Sequence, residues 1–315
     1  SQFAYREVAK TGTFKGEDFP IKTLYVCIGN PASVYSDTNA WINEVLPTLD
    51  LIVVADPFMT DTARYADIVL PVADWFEHAD VTFAGQTHYV QYSEKAIEPL
   101  YESKTDLEIV SLLGEKMGFG EYFQITEEQL LAEALTSPMS EELGISLESL
   151  REKKAIRFFK DPYIAWEGNN FLTPSGRVEF YVEKPTPRVP TEAEMDVDRE
   201  RLPRFFPPAE AWHENPLFEK YPLVLLSERP KFRVHSQWFN TPWLRELDPE
   251  PIVKINPGDA SARGIRHDDL VEVYNDRARA VVRAKIANGL KPGVMVFPKS
   301  WQRQQYIEGD LGALA

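Results

Sequence analysis

Five apolar residues in a row, Leu51-Ile52-Val53-Val54-Ala55, stop at Asp56-Pro57. A strand with no polar alternation has no solvent face, so this run predicts a strand covered on both sides, as in a parallel sheet flanked by helices. Leu24-Tyr25-Val26-Cys27-Ile28 reads as a companion strand ending in the turn Gly29-Asn30-Pro31. Ile68-Val69-Leu70 is a third, halted by Pro71. Helix signals lie between and after them. Asp37 or Thr38 can cap a helix carrying Trp41, Ile42, Val45 and Leu46 at helical spacing. Thr60 can cap a short helix through Tyr65. Thr105 with Glu108, and Thr126 with Gln129, have capping-box spacing, and Gly118 closes the first of these helices. This order predicts an α/β domain over residues 1–183, built on a doubly wound, mostly parallel sheet.

From 184 to 216 the pattern dissolves. Pro185, Pro187, Pro190, Pro203, Pro207, Pro208 and Pro216 interrupt a charged stretch, which reads as an extended connector. After Tyr221 the chain is β-rich, with strands expected at Leu223–Leu226, Ile252–Ile255, Leu270–Tyr274, Ala280–Ile286 and Val294–Phe297. Asn256-Pro257-Gly258-Asp259 opens a short helix stopped by Gly264, and Asn275-Asp276 makes a hairpin turn. Short strands with one small helix suggest a closed six-stranded-type barrel over 217–315.

The charge balance excludes one class of partner. Lys and Arg total 34 against 49 Asp and Glu, a net charge of −15, which suits no non-specific nucleic-acid binder. Any phosphate must be held locally, by backbone N–H groups and a few placed cations. No apolar run approaches the roughly 20 residues that cross a bilayer, so no direct membrane insertion is expected. The single cysteine, Cys27, reads as a small core residue, and alone it can form neither an intrachain disulfide nor a cluster site. The five His residues show no metal-ligand spacing, and no metal site is expected.

Ligands of an open parallel sheet bind at the carboxyl ends of its strands. Gly29-Asn30-Pro31 stands at one such end, where glycine lets the backbone approach a phosphate, although these residues also make ordinary turns. Asp56 stands at another, with the hydroxyls of Thr60 and Thr62 in the same turn. Its carboxylate can accept from a ribose or from guanine N1 and N2, or be a surface group beside a helix cap. A third strand, Leu223–Leu226, opens into Ser227-Glu228-Arg229 and then Arg233-Val234-His235-Ser236-Gln237. A cation, an imidazole, a hydroxyl and a carboxamide at the mouth of a rigid element can grip a polar, phosphate-bearing or heterocyclic ligand.

The last segment resembles the start of the C-terminal domain of the dimethyl sulfoxide reductase family, the bacterial molybdopterin oxidoreductases. The run from Val53 through Asp56-Pro57-Phe58-Met59-Thr60 to Leu70-Pro71 is similar to that family's signature almost residue for residue. Glu77 with Asp80, then Thr173-Pro174-Ser175-Gly176-Arg177, follow in family order, as do Pro251–Ala260, Gly264-Ile265, Asp269–Val273, Pro292-Gly293-Val294 and Trp301.

The resemblance implies molybdopterin guanine dinucleotide carrying molybdenum or tungsten, one nucleotide being served by Gly29, Asn30, Pro31, Asp56, Thr60 and Thr62. It implies a double-psi β-barrel with Ser227, Arg229, Arg233, His235, Ser236, Gln237, Asn256, Asp259 and Trp301 on the cofactor. The family's metal ligand, and its iron–sulfur cysteines where present, lie upstream of these segments. The chain is therefore expected to be a piece of a larger catalytic subunit, holding no catalytic residue and inert alone. Its partners would be the missing N-terminal half and an iron–sulfur electron-transfer subunit. Oxygen-atom or electron-pair transfer is the expected activity of the whole. A metal-free scaffold, and a non-redox hydratase or transhydroxylase, are the alternatives. Compartment stays open between cytoplasm and periplasm, the latter by twin-arginine export. The loop 227–238 and the tail after Trp301 are expected to be the most mobile parts.

Overall fold

A computed structural model describes residues 2–83, 87–159, 162–185, 197–208 and 210–314. Pro187 and Pro190 of the connector lie outside the described residues. By contact the chain divides into two units. The first gathers Ser1–Val54, Met59–Val69 and Tyr181–Ala315; the second holds Ala55–Phe58 and Leu70–Phe180.

Three strands, β1 (Thr23–Cys27), β2 (Leu51–Ala55) and β3 (Ile68–Leu70), form one sheet in that order. Asp67 N–H donates to Ile52 C=O at one end and Asp56 N–H to Leu70 C=O at the other, so β2 and β3 run parallel. The apolar run expected to be covered on both faces is buried at Ile52, Val54 and Ala55 and half-buried at Leu51 and Val53; Ile52 and Val54 share a cluster with Val26, Leu46 and Ala63. Burying a side chain such as Val54 fully stabilises by about 1.5–3 kcal/mol. Asp37 caps the helical run over 38–48 by accepting from Ala40 N–H at 3.2 Å. The middle turn, Trp41–Val45, widens to π spacing and buries Trp41 against the ring of Tyr5, 5.6 Å away. Cys27 corrects the sequence reading. It is exposed, because β1 is a sheet edge and its side chains alternate, Val26 pointing in and Cys27 out.

The second unit contains a sheet the sequence did not announce. Strands β4 (Asp80–Phe83), β5 (Tyr89–Ser93) and β6 (Ala155–Arg157) pair antiparallel, with Val81 opposite Tyr92 and Val90 opposite Ile156. Val90 packs against Leu131, Leu135, Ile145, Leu147 and Leu150. Both expected capping boxes form, over helices Asp106–Lys116 and Glu127–Glu133.

The remaining strands belong to the first unit: β7 (Val224–Glu228), β8 (Ile252–Ile255), β9 (Leu270–Tyr274), β10 (Arg279–Ile286) and β11 (Val294–Pro298). They join in the order β9-β10-β8-β11-β7. β8 runs parallel to β10 and β11 parallel to β7, while β9 with β10 and β8 with β11 are antiparallel. Alternate residues of β10, Ala280, Val282 and Ala284, face a core with Val253, Val273 and the fully buried Phe297. The short helix Pro257–Ser261 begins at Asn256 and the chain turns at Gly264 (φ 68°), as the sequence predicts. Gly309 must be glycine. Its φ is 69°, and a Cβ there would collide with the Arg279 carbonyl.

Candidate functional site

In the first unit the turn after β1, the turn at Thr60–Thr62 and the segment after β11 meet in a buried polar knot. Asn30 Oδ1 accepts from the Thr62 N–H (3.1 Å) and hydroxyl (2.7 Å), and the Thr62 hydroxyl accepts from Ala32 N–H at 3.0 Å. Asn30 Nδ2 donates to Gln302 Oε1 at 3.1 Å, which also accepts from Asp61 N–H at 2.9 Å. Thr60 Oγ1 accepts from Ala63 N–H at 3.3 Å. Asn30, Thr60 and Thr62, expected on a nucleotide, are buried here with their side-chain polar groups turned inward. What they do in this geometry is hold turns.

Asp61 and Gln302 carry as much of the knot, and the sequence reading passed over both. Asp61 Oδ2 accepts from Arg303 N–H. Burial pushes its carboxyl above the ordinary range, against the hydrogen bonds from Arg303, Ser33 and Gln304. Nearby, Asp310 accepts from the Thr38 hydroxyl at 2.7 Å, and Arg303 reaches Asn39 Oδ1 at 3.0 Å. The tail after Trp301, expected to be loose, is thus stitched into the unit, with Gln302, Asp310, Ala313 and Leu314 buried.

A second constellation lies at the loop after β7. The Arg233 guanidinium is buried and sits over the Trp301 ring, 3.4 Å from its centroid. Its Nη2 lies 3.0 Å from Asp248 Oδ2, an ion-pair distance whose geometry gives no hydrogen bond. Burial pulls the Arg233 pKa down while Asp248 pulls it up, and a guanidinium stays charged in either case. Among the described residues, Arg233 Nε and Nη2, Trp301 Nε1 and Ser300 Oγ have no hydrogen-bond partner although buried. Each such unmet donor costs about 1–3 kcal/mol. Ser300 and Trp301 line a cleft of about 850 Å³ together with Ser227, His235 and Lys299. His235, Trp238 and Ser300 hold left-handed backbone at φ 51°, 66° and 80°. Strained non-glycine backbone persists only where its surroundings enforce it, and it concentrates at ligand-binding loops.

The other expected residues divide. Ser227, Arg229, His235 and Gln237 are exposed and Ser236 half-buried, all within the strand end and the loop that follows it. Gly29 and Pro31 flank Asn30 in the knot's turn. Asn256 and Asp259 serve the barrel's own geometry: Asn256 Nδ2 donates to Leu290 C=O at 2.7 Å, and Asp259 Oδ2 accepts from Gly293 N–H at 2.7 Å. Asp56 falls in the second unit, half-buried, accepting from Phe58 N–H at 2.8 Å, and burial raises its pKa. Among the described residues no three His, Cys, Asp or Glu side chains gather closely enough to hold a metal ion.

Two family models match the chain. Residues 9–116 match the molybdopterin oxidoreductase model and residues 223–312 the molydopterin dinucleotide binding domain. A Halobacterium salinarum protein named for the catalytic subunit of dimethyl sulfoxide reductase is 33% identical over 302 residues, covering 94% of this chain and 35% of that protein. The dimethyl sulfoxide/trimethylamine N-oxide reductase of Cereibacter sphaeroides is 30% identical, covering 89% of this chain and 36% of its own length. The chain belongs to the dimethyl sulfoxide reductase family of molybdopterin oxidoreductases. Acetylene hydratase from Pelobacter acetylenicus superposes on this family fold with a TM-score of 0.74, at 24% identity, over 99% of this chain and 41% of that one. That likeness speaks for the fold: the mixed sheet belongs to the family's double-psi barrel domain, and among the described residues it joins five strands in open order where the sequence suggested a closed six-stranded-type barrel. The chain spans about a third of the length of the curated relatives it matches.

The donor chemistry fits the dinucleotide such a domain takes. A pterin and its phosphates are rich in acceptors and anionic, and what waits unpaired beside the cleft is a guanidinium, an indole N–H and a hydroxyl.

Proposed function

We propose that this chain supplies part of the binding site for molybdopterin guanine dinucleotide in a molybdenum or tungsten oxidoreductase. The observation that carries it is the group of unpaired buried donors, Arg233, Ser300 and Trp301, inside the dinucleotide-binding match. Arg233 would donate to a phosphate or pterin oxygen, held over the Trp301 ring and charge-balanced by Asp248. Ser227, Arg229, His235 and Gln237 would donate from the exposed loop. In the second unit Asp56 would accept from a guanine or ribose edge; in the first, Asn30, Thr60 and Thr62 would keep their own turns in place. When bound, the cofactor supplies the redox chemistry, an oxygen-atom or electron-pair transfer at the metal. The protein orients it and excludes water.

On this reading the chain alone is inert. A ligand clasped between domains loses contact area and shielding when one side is missing. Titrating guanosine diphosphate into the chain, followed by tryptophan fluorescence, should show dissociation at about millimolar concentration or weaker. Tight binding, or turnover of a sulfoxide or N-oxide, contradicts the half-site reading.

A further inference from the structure

The segment following Trp301 does more than bury itself. Gln302 and Gln305 bracket one helical turn, Arg303–Gln305, and are linked to each other by the Gln302 N–H donating to Gln305 Oε1 at 2.9 Å. Each then reaches the loop after β7. Gln305 Nε2 donates to Phe239 C=O at 3.2 Å, and Gln302 Nε2 lies 3.5 Å from Ser236 C=O, at the outer limit of a hydrogen bond. On its other side the Gln302 carboxamide takes Asn30 Nδ2 and Asp61 N–H, and Asp61 takes Arg303 N–H. Gln302 is wholly buried, so its amide orientation is dictated by these partners.

We propose that Gln302 and Gln305 are positioning residues: a two-carboxamide clamp that fixes the Ser236–Phe239 stretch against the Asn30 and Asp61 turns. The loop needs such a fixture. It holds left-handed backbone at His235 and Trp238 and lacks a strand ladder of its own. Left-handed backbone is strained at any residue but glycine, and it stays put only under external restraint. Two side-chain contacts from one turn, Gln305 at 3.2 Å and Gln302 at 3.5 Å, supply that restraint from outside the loop. The clamp's functional weight rests on the cofactor reading above, because His235, Ser236 and Gln237 matter only if they touch a ligand.

Gln305 is the residue to change, since it is half-buried where Gln302 is fully enclosed. Gln305→Ala removes both of its bonds. Gln305→Glu keeps the acceptor for Gln302 N–H and turns a repelling oxygen on Phe239 C=O, which isolates the loop contact. The amides to follow are Gln237, bonded to Val234 C=O, and Thr241, bonded to Trp238 C=O. Hydrogen exchange on the chain should show both amides opening about tenfold faster in each variant, while amides of β8, β10 and β11 keep their rates. Unchanged exchange at Gln237 and Thr241, or equal acceleration across the barrel strands, overturns the clamp. Guanine nucleotide retained by the corresponding full-length variant is the second readout, and it should fall. Faster loop exchange with undiminished guanine retention leaves the clamp standing and removes its link to the cofactor.

Discussion

Arg233 shows how one residue changes meaning between sequence and structure. In the sequence it is one cation in a polar cluster; in the structure it is a buried guanidinium laid on an indole with hydrogens to spare. Its placement was legible because Arg233-Val234-His235-Ser236-Gln237 is a motif. The partners were not, because Asp248 and Trp301 come from other segments of the chain and nothing local ties either of them to Arg233. Asn30 and Thr62 illustrate the converse. Strand-end position marked them, but position does not tell whether a side chain faces a ligand or a neighbouring turn. Asp61 offers a direct test of the knot. Burial raises its folded pKa above the unfolded value of about 3.9. A raised acid contributes stability that is complete below the unfolded pKa and is lost as pH rises through the folded one. Asp61→Asn keeps an acceptor for Arg303 N–H and never ionises. Urea unfolding should therefore find the variant more stable than the parent at pH 7, the advantage vanishing towards pH 4. A variant less stable at neutral pH would show that the charge is favourably solvated by its hydrogen bonds.

At the scale of elements, the readable parts were those with a strong period and a clear stop. Leu51–Ala55, Ile68–Leu70, Ile252–Ile255 and Leu270–Tyr274 form strands with the bounds their apolar runs indicate. The capping boxes at Thr105 and Thr126 form as spaced. The antiparallel sheet of β4–β6 was hidden by its third member. Ala155–Arg157 is three residues long and follows a helix, so nothing local announces that Val90 will face Ile156. In the barrel, the fully buried Phe297 closes the core between Val253, Val282 and Ala284. Small alanines around a large ring leave little room for collapse after truncation. Phe297→Ala should cost about 3–5 kcal/mol in chemical denaturation. A loss below about 1 kcal/mol would mean that this core repacks freely, against the packing density expected of it.

For the whole molecule, acidity and length say what the chain is built to join. With a net charge of −15, anion binding must be local: of the cations that line the cleft, Arg6 and Arg277 are paired with Asp37 and Glu210, which leaves Lys299, with the buried Arg233 over the ring of the lining residue Trp301, as the local anion holders. The matched relatives are about three times as long, so the dinucleotide is proposed to lie between this chain's cleft loops and parts of the protein that these residues do not include. The most direct measurement is made on the full-length protein, purified without oxygen, acid-treated, and assayed for guanine nucleotide and for molybdenum or tungsten. The account predicts both in the parent, and loss of most of the guanine nucleotide in Arg233→Leu with the fold retained by circular dichroism. A parent with neither nucleotide nor metal, or an Arg233→Leu protein that keeps its full complement, would contradict it.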